Sequence, residues 1–465
     1  MISEWKEFRL GDITEWASGG TPSKQNAAFW NGTIPWISAS SMGSNRYNES
    51  DLKITQEGLK AGSRLAKKDS ILLLVRGSTL HQRIPVGIAT SDVSFNQDVK
   101  AIKAKEEFID PWYLLFWFMA KEKDLLNMVE NTGIGAGKLD TNRLQNLLIR
   151  IPPDSERDKI LLFAKALDDK LLLNHQINQT LEAMAQAIFK SWFVDFDPVK
   201  AKIAAIEAGE DAEGVTRAAM SAISGKTYEE LDQLQAEQPE YYTQLKNTAE
   251  LFPTAMQDSE LGEIPKGWEV KALSKVIDVN PTRRLLKGKL ATKVSMADLN
   301  TWQSWIASWQ KEEYKSGPKF KNGDTIFARI TPSLENGKTA FVNFLSTGEI
   351  AFGSTEFIVF GPKIIASGSY VFCLSRSEHI RETAINAMTG TSGRQRVPND
   401  FFDHLLICVP PGKIVGKFNE ITVSLFKMIE HNSKESIHLK ETRDLLLPKL
   451  LSGELEINTA NKTES

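Results

Sequence analysis

The chain has 465 residues, 41% hydrophobic and 25% charged, with a net charge of -3. That length exceeds one ordinary core and predicts about two to four domains, and the composition excludes a fibrous or intrinsically disordered chain. Cys373 and Cys408 are the two cysteines, and neither belongs to a CxxC pair or a histidine cluster, which excludes a disulfide framework and a zinc site and fits a reducing cytoplasm.

The amino-terminal MISEWKEFRL has no apolar signal core. The longest apolar run, YLLFWFMA at 113–120, is far short of the roughly 18 residues needed to span a bilayer. The expectation is a cytoplasmic protein without membrane contact. Residues 198–262 hold 5 basic and 12 acidic side chains, a balance of -7, so the remainder carries +4 and is compatible with phosphate contacts.

Residues 1–152 alternate short apolar runs with Gly, Pro and Asn turns, which predicts a strand-rich first domain. KDSILLLVR at 68–76 leads from an Asp turn into a buried strand ending on Arg76. RGSTLHQR then offers Arg76, Ser78, Thr79, His81, Gln82 and Arg83, and SFNQDVK offers Asn96 and Gln97. Arginine matches guanine O6/N7 with two donors, and Asn or Gln matches adenine N6/N7, so such residues at strand ends suit major-groove reading. The plain alternatives are a solvated or turn-capping side chain, or an arginine that grips phosphate.

TGIGAGK at 132–138 resembles a phosphate loop but lacks the GxxxxGK[ST] spacing, because Lys138 is followed by Leu139. It runs into a short apolar strand and Pro152-Pro153. Beyond them, residues 153–197 predict a first long helix. Positions 160, 164, 167, 171, 174, 178, 181, 185, 188 and 192 alternate steps of four and three, a coiled-coil seam carried by Ile160, Leu167, Leu171, Asn174, Leu181 and Ile188. That seam spans roughly 48 Å at 1.5 Å per residue. Residues 198–262 follow as an acidic connector with helix-forming stretches at 200–208, 215–223 and 228–237.

The chain then repeats itself. Residues 263–411 predict a second domain in which Trp268 answers Trp5, NGDTIFAR at 322–329 answers the strand ending on Arg76, and TGTSGRQRVPNDFFDHLLICVPP at 389–411 answers 132–153. The corresponding candidates are Arg329, Thr331, Ser333, Asn336, Lys338, Thr355, Glu356, Arg394, Gln395 and Arg396. Arg76 and Arg329 are expected at the same strand end. Glu356 suits cytosine N4, while Lys138, Arg394 and Arg396 suit duplex phosphate or base edges. Residues 412–455 predict a second helix with its seam 258 positions later, at Phe418, Leu425, Ile429, Asn432, Leu439 and Leu446, and 456–465 form a polar tail. Two such helices most simply pack on each other, the polar residues at matching heights fixing register.

No catalytic constellation is visible. The Pro-Pro pairs follow Ile151 and Val409 rather than the Asn or Asp of an amino-methyltransferase loop, and six histidines are scattered without HExxH spacing. Trp30, Trp36, Trp302, Trp305 and Trp309 permit base stacking, with core packing the more common use.

Gly19-Gly20-Thr21-Pro22 with Ile34-Pro35-Trp36-Ile37, Gly353-Ser354-Thr355-Glu356-Phe357, Phe193-Val194-Asp195-Phe196-Asp197-Pro198, and Glu260-Leu261-Gly262-Glu263-Ile264-Pro265-Lys266-Gly267-Trp268 recur in an order that resembles the DNA specificity subunit of Type I restriction-modification systems. The resemblance covers nearly the whole chain. It implies an α/β (α+β) fold: two target recognition domains, each reading half of a split site in double-stranded DNA, held apart by two helices as an antiparallel coiled coil. Thr21 joins the DNA-contact candidates on this basis. It further implies a non-catalytic subunit with no cofactor or metal of its own, two modification subunits that use S-adenosylmethionine, and restriction subunits. A nucleotide-driven enzyme using TGIGAGK and a coiled-coil scaffold that does not touch DNA are the competing classes.

Overall fold

The computed structural model describes residues 5–132, 135–301, 303–306, 308–363, 366–391 and 393–457. Trp302, part of each Thr-Gly loop (133–134 and 392) and the tail from 458 lie outside the described residues. The chain divides into two units, residues 1–172 with 437–465, and residues 173–436.

In the first unit, β1 (Thr14–Ser18), β2 (Arg46–Tyr47), β3 (Ile71–Leu74), β5 (Val86–Ala89) and β6 (Val99–Ala104) form a five-stranded sheet in the order β1-β6-β3-β5-β2. All four residues of central β3, ILLL, are buried, as expected for a strand covered on both faces. The run PWYLLFWFMA forms the helix Pro111–Ala120, capped by Asp110 with proline at its first position. It is apolar all round because it is buried all round: Tyr113 to Phe118 lie in the core. Three short strands outside this sheet matter for the site. They are β4 (Arg76–Gly77), between β3 and β5, and the hairpin β7 (Glu130–Asn131) with β8 (Gly137–Lys138).

The second unit rebuilds this framework. Strands β9 (Ile277–Val279), β10 (Thr325–Ala328), β11 (Thr339–Phe341) and β12 (Phe357–Pro362) lie in the order β9-β12-β10-β11, matching β1-β6-β3-β5. Each unit also holds a small four-stranded sheet with one parallel pair, 30–37 beside 93–95 and 290–294 beside 351–353. Each joins an early strand antiparallel to its last, Lys6 to Ile151 in one and Glu269 to Val409 in the other. The expected repeat therefore holds over four strands of the main sheet, β2 having no counterpart among the described residues, and the class is α+β.

Two long helices carry the chain onward, α1 (Asp154–Phe193, 40 residues) and α6 (Gly412–Ser452, 41 residues). In the first unit, Ile160, Leu161 and Ala164 of α1 share a core with Leu447, Leu450 and Leu451 of α6 and the sheet. In the second, the helices run antiparallel: Asn174 Nδ2 lies 3.3 Å from Ser436 Oγ, Asn432 Nδ2 donates to Asn178 Oδ1 at 3.0 Å, and the Phe193 ring lies 5.3 Å from that of Phe418. Of the seam positions, Ile160, Asn174, Phe418, Ile429 and Asn432 are buried, and Leu167, Leu171, Leu181, Ile188, Leu425, Leu439 and Leu446 are half-buried.

Between the long helices stand α2 (Asp197–Glu207), α3 (Ala212–Ser224), α4 (Tyr228–Glu237) and α5 (Pro239–Glu250). They enclose a small core of their own, Met220, Leu231, Leu234, Tyr242, Leu245 and Ala249. Helix α5 was not expected from PEYYTQLKNTAE, whose first turn is poor in strong helix formers. Proline at its first position and burial of Tyr242 and Leu245 compensate.

Candidate nucleic-acid interface

In the first unit the chain leaves the buried strand β3 and places Arg76 in β4, where β8 pairs with it: Arg76 lies opposite Lys138 and Gly77 opposite Gly137. Two cations 62 positions apart thus become cross-strand neighbours, and both are exposed. Such close like charges disfavour each other unless an anion joins them. Gly137 permits the approach. A Cβ there would stand 2.8 Å from Val129 Cγ1 and 2.9 Å from Leu80 Cβ. The Thr132 amide donates to Ala136 O and the Gly135 amide to Thr132 O, both at 2.9 Å, so these donors close the hairpin turn instead of facing a ligand. That corrects the phosphate-loop resemblance of TGIGAGK.

Beside this hairpin, residues 96–98 form a tight turn in which the Asp98 amide donates to Asn96 Oδ1 at 3.1 Å and Asn96 Nδ2 donates to Asp98 Oδ2 at 3.1 Å. Asn96 is buried and engaged in shaping the turn, so it is not available to a base, a correction to its expected role. Its neighbour Gln97 is exposed, accepting a 2.7 Å bond from Thr21 Oγ1. Ser78 and Gln82 are exposed and Thr79 half-buried in the turn 78–81 and its end, while Arg83 Nη2 donates to Met42 O at 3.0 Å.

The second unit builds the same head with other side chains. Its turn at 354–356 copies 96–98, the Glu356 amide donating to Ser354 Oγ at 3.2 Å. Thr355 is exposed at the position of Gln97. Strand ends are tied alike: the Val75 amide donates to Asp98 O at 2.8 Å, and the Arg329 amide to Glu356 O at 3.0 Å. Likewise the Leu139 amide donates to Val75 O and the Val397 amide to Arg329 O, each at 2.9 Å.

These bonds make Arg329 the counterpart of Val75, and Ile330 the counterpart of Arg76. The expectation that both arginines occupy one equivalent site is therefore off by one residue, and in extended chain one residue reverses the face. Arg76 is exposed; Arg329 is half-buried, bonded through Nη1 to Asn399 Oδ1, with burial drawing its pKa down.

The true counterpart of Lys138 is Arg396, which bridges to both Ile330 and Thr389. Its guanidinium forks onto Glu356, with Nε 2.8 Å from Oε2 and Nη2 2.7 Å from Oε1. Mainly through that bond, Arg396 holds the Glu356 carboxyl below its usual range. Glu356 is thus occupied by protein, which corrects its assignment as a free acceptor for cytosine. Thr331 is buried and paired with the Gln395 amide at 3.0 Å, and Lys338 Nζ donates to Met296 O at 2.8 Å. Asn336 and Arg394 are exposed, and Ser333 and Gln395 half-buried.

Among the described residues, no group of three or more His, Cys, Asp or Glu side chains could hold a metal ion, and no helix is long and apolar enough to cross a membrane. Trp36 and Trp305 are buried. Trp30 packs edge-on against Trp36 at 5.3 Å and Trp309 lies 4.2 Å from Phe344, so these rings pack within the protein.

Residues 2–183 match the family described as the Type I restriction modification DNA specificity domain. The Type I restriction enzyme HindI specificity subunit of Haemophilus influenzae is 28% identical over 468 residues, covering 98% of this chain and 100% of that one. The MjaIX specificity subunit of Methanocaldococcus jannaschii is 25% identical, covering 98% and 94%. Over residues 2–183 the chain is thus similar to the Type I DNA specificity domain, and over nearly its whole length to proteins named as Type I specificity subunits. A solved S subunit from M. genitalium aligns over 99% of this chain and 98% of its own at 12% identity, with a TM-score of 0.45.

Two features of this chain escape a reading of its sequence. Asp168 in α1 is buried and receives Arg46 Nε at 2.8 Å. Glu182, also buried in α1, receives Arg376 Nη2 at 3.2 Å and the Ser304 amide at 2.9 Å. Asp168 docks α1 onto β2 of the first unit, and Glu182 docks it onto the end of the helix Gly368–Arg376 and the Ser304 loop of the second. The signal available was an acid one step off the apolar seam, which charge patterning alone assigns to solvent.

Proposed function

We propose that this chain is the non-catalytic, DNA-reading subunit of a cytoplasmic Type I restriction-modification complex, each unit reading one half of a split site. Partner modification subunits bring S-adenosylmethionine and methylate adenine, restriction subunits add cleavage, and α1 with α6 sets the unread spacer and seats the modification subunits.

One observation carries this reading. The same framework of strand end, 96–98 turn and 137–138 hairpin recurs at 329–330, 354–356 and 395–396 with different side chains: exposed Arg76, Gln97 and Lys138 become half-buried Ile330 and exposed Thr355 and Arg396. A fixed support with exchanged tips suits two unlike half-sequences, since base edges are read by side chains while phosphate contacts fix orientation. The mildly basic remainder outside residues 198–262 supplies the general attraction.

Methylome sequencing of the host with and without the gene tests the proposal. Loss of one bipartite adenine motif is expected. An unchanged methylome, in a host where the modification subunits are expressed, overturns it.

A further inference from the structure

Resting on the DNA-reading proposal, we propose that Arg396 reads a guanine in the half-site of the second unit and that Glu356 is the positioning residue that aims it. Arg396 is held at both levels. Its backbone is fixed by paired bonds with Thr389, amide to carbonyl at 2.9 and 3.0 Å. Its side chain is fixed by the Glu356 fork, and Glu356 is itself held by the Ser354 hydroxyl and, through its carbonyl, by the Arg329 amide.

The fork uses Nε and one side of Nη2. The other edge of the guanidinium, shared by Nη1 and Nη2, has among the described residues only the Arg394 carbonyl, 3.4 Å from Nη1. The side chain remains 45% exposed. Two parallel N–H donors on one rigid planar edge are the complement of guanine O6 and N7 in the major groove. A flexible arginine must lose side-chain freedom on binding, whereas this one is ordered beforehand by a carboxylate. Among the described residues, the equivalent positions of the first unit hold no such device. There the counterpart cation is Lys138, a point charge without a planar edge, and the counterpart acid Asp98 is engaged by Asn96. Arg394, exposed two residues earlier, is the cation at this hairpin suited to phosphate.

The test compares methylomes of the native complex carrying the wild-type chain, Arg396→Lys or Glu356→Gln. The wild type is expected to require one guanine, within one half-site, that Arg396→Lys no longer enforces. Preference at that position falls by about 5- to 150-fold, while the other half and the remaining positions stay intact. Glu356→Gln relaxes the same position to a smaller degree. Uniformly weaker methylation with every position of the motif kept marks Arg396 as a phosphate contact and overturns the proposal, as does relaxation at an A·T pair. Should Arg396→Lys abolish methylation, Glu356→Gln decides: relaxation at one guanine supports the proposal and an unchanged motif overturns it. A wild-type chain that yields no bipartite motif overturns the DNA-reading function itself. An intact wild-type motif without single-guanine relaxation overturns this inference alone.

Discussion

Asn432 Nδ2 donates to Asn178 Oδ1 at 3.0 Å across the seam of the two long helices, with both residues buried. Beside this bond, Asn178 Nδ2 donates to Ser433 Oγ at 3.3 Å and Asn174 Nδ2 reaches Glu435 Oε2 at 2.7 Å, so the amide donors of Asn174, Asn178 and Asn432 are all paired in this alignment of the helices. A slip by one heptad would bury amides against leucines. Asn432→Leu leaves Asn178 short of a partner and is expected to destabilise by about 1–3 kcal/mol. The double variant Asn178→Leu/Asn432→Leu is expected to be less destabilised than the sum of the singles, with a coupling of about 0.5–3 kcal/mol in a thermal double-mutant cycle. Additive losses would show that the pair does not act as a unit.

Glu182 and Arg376 are a buried pair, 8% and 10% exposed, 3.2 Å apart. Burial raises the carboxyl pKa and lowers that of the guanidinium, each partly restored by the other. Removal of one charge strands the other in a dry site, so Glu182→Ala is expected to cost about 3–5 kcal/mol. Glu182→Gln keeps an acceptor for the Ser304 amide and is expected to cost less. Urea denaturation of the three proteins orders them; equal midpoints would place the pair in solvent.

The parts of this molecule that the sequence discloses are those with a period. The seam repeats every seven residues and again 258 positions later, so its polar step at Asn174, Asn178, Asn432 and Ser436 is readable without coordinates. Hydrogen-bond register has no such signature. Matching KDSILLLVR to NGDTIFAR by their terminal arginines is natural, yet the turn bonds from the Ser70 amide to Lys67 O and from the Asp324 amide to Lys321 O set the two strands one residue differently. The same limit hides long-range pairing: Arg46 meets Asp168, and Glu356 meets Arg396, across 122 and 40 positions. Residue type pointed to the loops around Arg76 and Arg396, where both side chains are exposed. It could not tell which polar groups there are already bonded, as Asn96, Thr331 and Glu356 are.

Glu349 offers a test of pH dependence. Burial favours its neutral form, but bonds from Lys311 Nζ at 2.7 Å, Thr292 Oγ1 at 2.5 Å and the Ser346 amide at 3.1 Å, with the charge of Lys311, prevail and hold its pKa at about 2. A folded pKa below the ordinary value of about 4.3 contributes stability that is complete above that value and is lost as pH falls toward 2. Glu349→Gln is therefore expected to melt below the wild type at pH 7, with the gap closing between about pH 4.5 and 2. A gap independent of pH would remove the carboxylate from the account.

Arg76 and Lys138 stand opposite each other on β4 and β8, both exposed and of like charge. A protein gains little stability from such a pair, and an adjacent phosphate would reverse its sign from repulsive to favourable. The double variant Arg76→Ala/Lys138→Ala is accordingly expected to keep or slightly raise the melting temperature of the chain while weakening duplex binding by the native complex. If both side chains hold phosphates, the slope of log affinity against log salt falls in magnitude by roughly 1.8, about 0.9 for each phosphate no longer neutralised. Measured on the wild-type target and on a duplex of scrambled sequence, the weakening should be similar for both. Weakening confined to the target would instead make one of the two a reader of bases in the first half-site, and Arg76, with a planar fork that lysine lacks, would be that residue.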